Sequence, residues 1–349
     1  MSRAVHLAGT GLACALGMDL PSALAALRRG GVPSGRMTAG GAEWPLYALP
    51  PQEGDWAARA SRTVRRVAAE SGALAERTGP LYVASSSRDI GQREDSLDFS
   101  GDIQVFAERV AQWLDWRGPV LTVSTACTSA ATAALAAARW IGAGEADHAL
   151  VLGIELDNRF TVAGFGALQL LASADAQGRR NGLVLGQAVA ALHLRAQPAR
   201  WRLAGGANVA DGRNPTGTQA EAVVAACREA LRSAGLQPGD IGLLKPHAAG
   251  NAASDAAEAE ALAQVFGALP PMVSLKAAIG HTLGASAAAE LALLVACLEA
   301  GAWPAPDPVL DDWPGAAAAW PATAPRHLLL GTIGFGGGHA ALVLTDGQA

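Results

Sequence analysis

Residues 119–141, PVLTVSTACTSAATAALAAARWI, constrain the fold more than any other stretch. They open with Val120, Leu121 and Val123, a pattern that predicts a short buried strand. The chain then turns through Ser124-Thr125-Ala126-Cys127 and continues from Ser129 to Trp140 with alanine-rich helical spacing. Cys127 therefore belongs to a strand-to-helix junction, at or near the helix N-terminus. Backbone N–H groups there lack intrahelical partners, and the helix dipole favours an anion. A thiol so placed is expected to titrate below the free value of about 8.5, with donors at hand for a developing oxyanion. Small flanking residues leave the sulfur within reach of something long. The alternative is a buried cysteine packed as a small hydrophobe.

Around this junction, strand and helix signals alternate. Residues 4–8, 81–84, 149–154, 183–186 and 188–194 read as strands, and residues 21–29, 56–76 and 104–116 as helices. Residues 35–54 read as an irregular Pro/Gly-rich loop with an edge strand near Leu46. The order then repeats: strands at 201–209, 241–244, 272–275, 328–330 and 341–344, with helices at 220–234, 256–266 and 284–299. Alternation of this kind predicts an α/β protein with a largely parallel sheet under helical cover. The repetition predicts an internal duplication with a boundary near 195–200, giving halves 1–198 and 199–349.

Composition bounds the rest. Of the 349 residues 50% are hydrophobic and 16% charged, which suffices for a large core, and the net charge of −5 carries no basic bias toward nucleic acid. The four cysteines, Cys14, Cys127, Cys227 and Cys297, show no CxxC spacing, so reduced thiols and a cytosolic home are expected. The N-terminus lacks the apolar run of a signal peptide, and no uninterrupted apolar segment of about 18 residues is read as a membrane span.

Three further junctions carry polar chemistry. His247 follows a strand in Lys245-Pro246-His247-Ala248-Ala249-Gly250-Asn251. His281 lies in Gly280-His281-Thr282-Leu283-Gly284-Ala285, between a strand and an alanine-rich helix. Gly334-Phe335-Gly336-Gly337-Gly338-His339 joins the last two strands. In α/β sheets the carboxyl ends of strands are where ligands bind. A lone histidine is most often structural, but two histidines and a cysteine at equivalent strand ends of duplicated halves point to one site. Separately, Arg62, Arg65 and Arg66 crowd one helix; a solvated face and a docking patch for an acidic partner are both open.

In order and spacing these motifs resemble the β-ketoacyl-[acyl carrier protein] synthases of the Cys-His-His type, along essentially the whole chain. The resemblance implies a thiolase-like five-layer αβαβα fold of two duplicated halves, usually dimeric. It implies a decarboxylating Claisen condensation in fatty acid, polyketide or aryl-polyene-like biosynthesis. Cys127 would take an acyl group, and His247 and His281 would act on malonyl carrier protein. Backbone N–H groups of Cys127 and Phe335 would hold the oxyanion, and Phe335 would gate the malonyl side. Lys276 matches the family's lysine beneath the histidines. Asp255, Glu258 and Glu290 match acidic residues that order the network. The Arg62, Arg65 and Arg66 helix matches by position the surface offered to the acyl carrier protein. No cofactor is implied, because substrates ride on the carrier's phosphopantetheine. A homodimer, or a heterodimer with a second ketosynthase-like subunit, is implied as well.

The sequence departs from the family pattern at Ala248 and Ala249, where Gly-Thr is usual, and at Gln187, Asn181 and His339. It is also shorter than is usual before Cys127. An accessory subunit resembling a chain-length factor is the main alternative, although such factors generally lose the cysteine. A degradative thiolase would need a second cysteine near Gly336-Gly337-Gly338, and the initiating Cys-His-Asn synthases lack a histidine at the position of His281.

Overall fold

The computed structural model describes residues 3–173, 181–214, 216–311, 313 and 325–348. In the first half the strands are β1 (His6–Cys14), β2 (Gly35–Ala39), β3 (Ala42–Tyr47), β4 (Leu81–Ala84), β5 (Val120–Val123), β6 (His148–Glu155), β7 (Leu185–Gly186) and β8 (Ala188–Arg195). The second half adds β9 (Trp201–Ala210), β10 (Leu243–Lys245), β11 (His327–Gly334) and β12 (Gly338–Asp346). The helices are α1 (Leu20–Arg28), α2 (Trp56–Glu70), α3 (Ile90–Arg93), α4 (Ile103–Leu114), α5 (Ser129–Ala143) and α6 (Arg159–Ala167), then α7 (Ala220–Ala234), α8 (Ala252–Phe266), α9 (Lys276–Ile279) and α10 (Ser286–Ala300).

Nine strands form one sheet in the order β10-β11-β12-β9-β1-β8-β6-β4-β5. Its two parts meet where His6 and Leu7 of β1 pair with Arg202 and Trp201 of β9, and Leu203 N donates to Val5 O at 2.9 Å beside them. Each part repeats one topology. From the outer edge inward the first runs β5-β4-β6-β8-β1, joined parallel, parallel, antiparallel, antiparallel. The second runs from a parallel bridge at Met272 through β10, β11, β12 and β9, with the same sequence of directions.

Helices α5 and α10 pack against strands of both parts and form the central layer. Helices α2 and α4 cover the outer face of the first part, and α7 and α8 that of the second. The result is αβαβα, the thiolase-like architecture. The central helices are alanine-rich because only small side chains let a helix lie close to two sheets at once.

Several expectations need correction. Strand β5 is half-exposed rather than buried, because it is the sheet edge and only β4 flanks it. Residues 35–54 are not irregular: β2 and β3 form a hairpin about Gly40-Gly41, both at positive φ (61° and 78°), the geometry a two-residue turn requires. Residues 272–275 reduce to a bridge at Met272, held by Leu244 N donating to Pro271 O and Val273 N to Leu244 O at 2.9 Å each, before the chain turns into α9. Helix α2 stops at Glu70, short of residue 76. Finally, Leu283–Ala300 is long and apolar enough to cross a membrane by composition. Here it is the core helix α10 with its leading turn, buried almost throughout, with Glu290 inside it held by two lysines.

Candidate active site

Cys127 lies in the elbow between β5 and α5, just before the N-cap Thr128. The elbow is tied to itself. Ser129 Oγ accepts from Thr125 N (2.9 Å) and donates to Ala126 O (2.6 Å), and Thr128 Oγ1 donates to Thr125 O (2.7 Å). Ala126 is forced to φ 50°, the left-handed region that costs a non-glycine residue about 1 kcal/mol. The same strain recurs beside each histidine, at Ala248 (φ 42°) and Leu283 (φ 47°). Gly334, at the end of β11, closes on the elbow. A Cβ there would lie 3.2 Å from both Cys127 N and Thr128 N, so a side chain would push the strand and the elbow apart by a few tenths of an ångström.

The two histidines converge on the sulfur. His281 Nε2 is 3.1 Å from Cys127 Sγ, and His281 Nδ1 is 2.9 Å from Ser286 Oγ. The His247 ring stands edge-on to His281 at 5.1 Å between centroids. Peptide N–H groups of Phe335 and Cys127 point at the sulfur. Phe335 stacks on Phe165 of α6 (5.5 Å, 15°). Cys127, His247, His281, Phe335 and Phe165 line one cleft of about 480 Å³, together with Thr216, Thr218 and Asn251.

The electrostatics reverse one expectation. Burial pushes the Cys127 thiol up to about 12, the Glu155 carboxylate pushes the same way, and Lys276 and the two N–H groups oppose it. The helix-terminus argument fails because the desolvation of a fully buried thiolate outweighs the partial charge of nearby donors. His247 is held well below the usual imidazole range, first by burial and then by Lys276, His281, Lys245 and His339, so its ring is neutral.

The acidic residues pin backbone. Glu258 accepts from His247 N (2.6 Å) and Ala248 N (2.9 Å), and Asp255 accepts from Ala249 N (3.0 Å) and Gly250 N (2.9 Å). Four consecutive N–H groups are thereby fixed, which sets the direction of His247. Glu290, fully buried in α10, takes Lys276 Nζ at 2.5 Å on one oxygen and Lys245 Nζ on the other.

Two residues of this network escaped the sequence reading. Lys245 sits two positions before His247, and its only signal was that proximity. Glu155 ends β6, accepts from Ser86 N (2.5 Å) and Oγ (2.6 Å), from Gly284 N (3.1 Å) and from Ser87, and fastens the loop after β4 to the turn before α10. A lone glutamate closing an apolar strand was its signal.

The departures from the family pattern have local roles. Gln187 accepts from Leu49 N (2.9 Å), Asn181 from Ser173 N (3.2 Å), and His339 Nδ1–H donates to Gly337 O (2.9 Å). The arginines of α2 lie on the outer face of the first half and do not line the cleft. Arg62 donates to Glu53 O, and Arg66 pairs with Asp19. Arg65 is exposed and makes no ion pair among the described residues.

Comparison with known proteins identifies the family. The family model described as "Beta-ketoacyl synthase, N-terminal domain" matches residues 56–199, and "Beta-ketoacyl synthase, C-terminal domain" matches residues 202–307. The chain is 30% identical to the highly reducing polyketide synthase sor1 of Hypocrea jecorina, over 71% of this chain and 11% of that protein. It is 34% identical to the lovastatin diketide synthase mokB of Monascus pilosus, over 57% of this chain and 8% of that one. The chain thus spans about a tenth of the length of these curated relatives.

Among solved structures it resembles a ketosynthase (ApeO) in complex with its chain length factor (ApeC) from Xenorhabdus doucetiae, with TM-score 0.82 and 23% identity over 99% of this chain and 98% of that one. It also resembles a β-ketoacyl synthase from Burkholderia phymatum, with TM-score 0.80 and 23% identity over 99% and 100%. These structural likenesses establish the fold. The adjoining family matches reach across both halves and contain Cys127, His247 and His281 alike, and the chain belongs to the β-ketoacyl synthase family.

Proposed function

We propose that this chain is a condensing enzyme that joins an acyl group held on Cys127 to a malonyl unit carried by an acyl carrier protein. The observation that carries this reading is His281 Nε2 at 3.1 Å from Cys127 Sγ, with His247 against His281 in the same cleft. Because the sulfur is a thiol at neutral pH, His281 Nε2 accepts its proton as sulfur attacks the incoming thioester carbon. The same proton then leaves with the departing pantetheine sulfur. That role needs the tautomer whose Nδ1–H donates to Ser286 Oγ. The carbonyl oxygen becomes an oxyanion beside the N–H groups of Cys127 and Phe335.

Once sulfur is acylated, Nε2 is free to carry the hydrogen. Loss of CO₂ from the malonyl thioester leaves an enolate, whose oxygen His247 and His281 receive as neutral N–H donors. The enolate carbon attacks the Cys127 thioester, a C–C bond forms, the C–S bond breaks, and the released thiolate takes up one proton from solvent, matching the CO₂ lost. Phe335 gates the malonyl side. Lys276 and Glu290 lie under the histidines, while Asp255 and Glu258 orient His247. No group is needed beyond the carrier's phosphopantetheine arm.

The curated relatives are polyketide synthases, which favours polyketide over fatty acid synthesis. The acyl carrier protein is the expected partner, with Arg65 its most available basic contact on α2. Residues 1–198 and 199–349 act as the two halves, in a cytoplasmic protein. A dimer would use the edge of β5, flanked among the described strands by β4 alone, and the exposed Leu97, Phe99 and Phe160 offer further apolar surface. A second reading, an accessory partner like a chain-length factor, is favoured by the strongly raised thiol and by Ala248-Ala249, which offer no hydroxyl to the cleft.

Intact-mass analysis after incubation with an acyl-carrier thioester separates these readings. An adduct that forms on the wild type and disappears in Cys127→Ala supports the enzyme. An adduct that persists in Cys127→Ala overturns the assignment. No adduct on the wild type, together with product only when a second ketosynthase is added, supports the accessory role.

A further inference from the structure

The Lys276–Glu290 pair would by itself be a neutral buried pair. The structure adds a third member. Lys245, 2% exposed, ends β10 and reaches Oε2 of Glu290 with its ammonium, while Nζ also donates to Gly331 O of β11 at 3.2 Å. One carboxylate thus serves two lysines, and the contact triad carries a net charge of +1 where a simple pair would carry none.

A fully buried excess charge is expensive, by several kcal/mol for an unrelieved ion. Apolar residues of similar size fill such positions more cheaply, so structural need alone does not account for a second lysine. Its location is informative. Lys245 is two residues before His247, and both its contacts belong to elements that end at the cleft: β11 leads into Gly334-Phe335, and α10 follows His281.

We propose that Lys245 is a positioning residue of the condensing site: by sharing Glu290 with Lys276 it leaves an uncompensated positive charge two residues from His247, behind the cleft, which keeps His247 neutral and able to donate. Its consequence for decarboxylation rests on the condensing reading above; the charge arrangement does not. A cation near an imidazole disfavours its protonation, and in a low-dielectric interior the effect is large. The direction of the His247 shift, with Lys245 among its causes, agrees. Burial brings Lys245 itself down to about 8, so the charge is in place below that pH.

The groups facing Lys245 are Glu290 of α10, Lys276 of α9 and Glu258 of α8. His247 in addition faces His281 and His339. Glu258 opposes the positive field, but burial pushes its carboxyl up to about 7, which halves that opposition near neutrality.

The test compares wild type, Lys245→Met and Lys245→Arg. Methionine keeps the volume and removes the charge; arginine keeps the charge. Proton NMR titration of His247, assigned with His247→Gln, reads the effect without any substrate. The His247 midpoint is expected to rise by about one unit or more in K245M and to stay near wild type in K245R. An unchanged midpoint in K245M, or equal shifts in both variants, overturns the proposal. Melting curves establish that both variants fold, and if K245M does not, Lys245→Gln replaces it under the same criteria.

Malonyl decarboxylation is then measured against pH. Its acid limb is expected to move up by the same increment in K245M, so that the loss approaches tenfold on the acid side of the wild-type limb and vanishes well above it. Acylation of Cys127 should change less than about threefold. A uniform loss at every pH that arginine does not rescue marks a merely structural lysine and overturns the proposal. A wild type that decarboxylates nothing while His247 still shifts in K245M refutes the condensing reading and leaves the electrostatic one standing.

Discussion

The titration of Cys127 can be followed directly by alkylation. Iodoacetamide reacts with thiolate, so its rate on Cys127 follows the ionised fraction plus whatever proton transfer His281 supplies. With the thiol pushed up to about 12, the ionised fraction at pH 7 is on the order of 10⁻⁵, against a few per cent for a free cysteine. Direct thiolate attack should therefore be roughly a thousandfold slower than for a free thiol, and its rate should climb tenfold per pH unit through pH 10 without levelling. Cys14, Cys227 and Cys297 are raised to about 12 as well and do not line the cleft, so the first adduct should map to Cys127. In His281→Ala the neighbouring nitrogen at 3.1 Å is gone, and the rate near pH 7 should fall by about tenfold or more while the alkaline rise is retained. Time-resolved intact mass from pH 6 to 10 measures all of this. A plateau between pH 6 and 8 in His281→Ala, where only the ionised fraction of the thiol is left to react, would show that the helix terminus governs the sulfur after all. It would refute the claim that burial dominates.

Replacing Glu258 by Gln leaves one of the His247 and Ala248 N–H groups without its carboxylate oxygen, a loss of about 1.5–3 kcal/mol in the melt. Decarboxylation should fall with it, while Cys127 alkylation stays within about twofold; equal losses in both assays would contradict an orienting role. Removing the shared counter-ion by Glu290→Gln strands two buried ammonium groups and should cost about 3–5 kcal/mol, read by urea unfolding. For pH stability, burial pushes each buried cysteine up to about 12 in the fold, from an ordinary value of 9.0. The fold therefore favours the neutral thiol. This stability is fully present below pH 9 and is lost as pH rises toward 12, at about 1.4 kcal/mol per unit for each thiol. Melting temperature should drop steeply above pH 9, and Cys14→Ala should flatten that drop; a flat profile through pH 10.5 would count against it.

Much of this was open to reading in the chain. The 119–141 stretch declared strand, turn and helix through β-branched and alanine-rich runs, and Cys127 does sit in the elbow between β5 and α5. The alternation of elements announced the layered α/β class, because period and composition are local properties. Near misses came where local signals compete. The Gly40-Gly41 turn was hidden among prolines and glycines, and β5 reads as buried because its residues are apolar whether or not a neighbouring strand exists.

The sulfur's chemistry belonged to another level. Sequence gives Cys127 a helix terminus and predicts a lowered pKa, but its desolvation is set by everything packed around the atom, such as Gly334 from the far half, and the charge of Glu155 from β6 pushes the same way. The same holds for Lys245, whose meaning depends on a carboxylate 45 positions away (Glu290) that it shares with Lys276. Residue order alone determined which side chains this protein brings to its strand ends. The tertiary structure alone decided how far apart they stand and what charge each one carries, because distance and dielectric are properties of the packed molecule and of no segment in it.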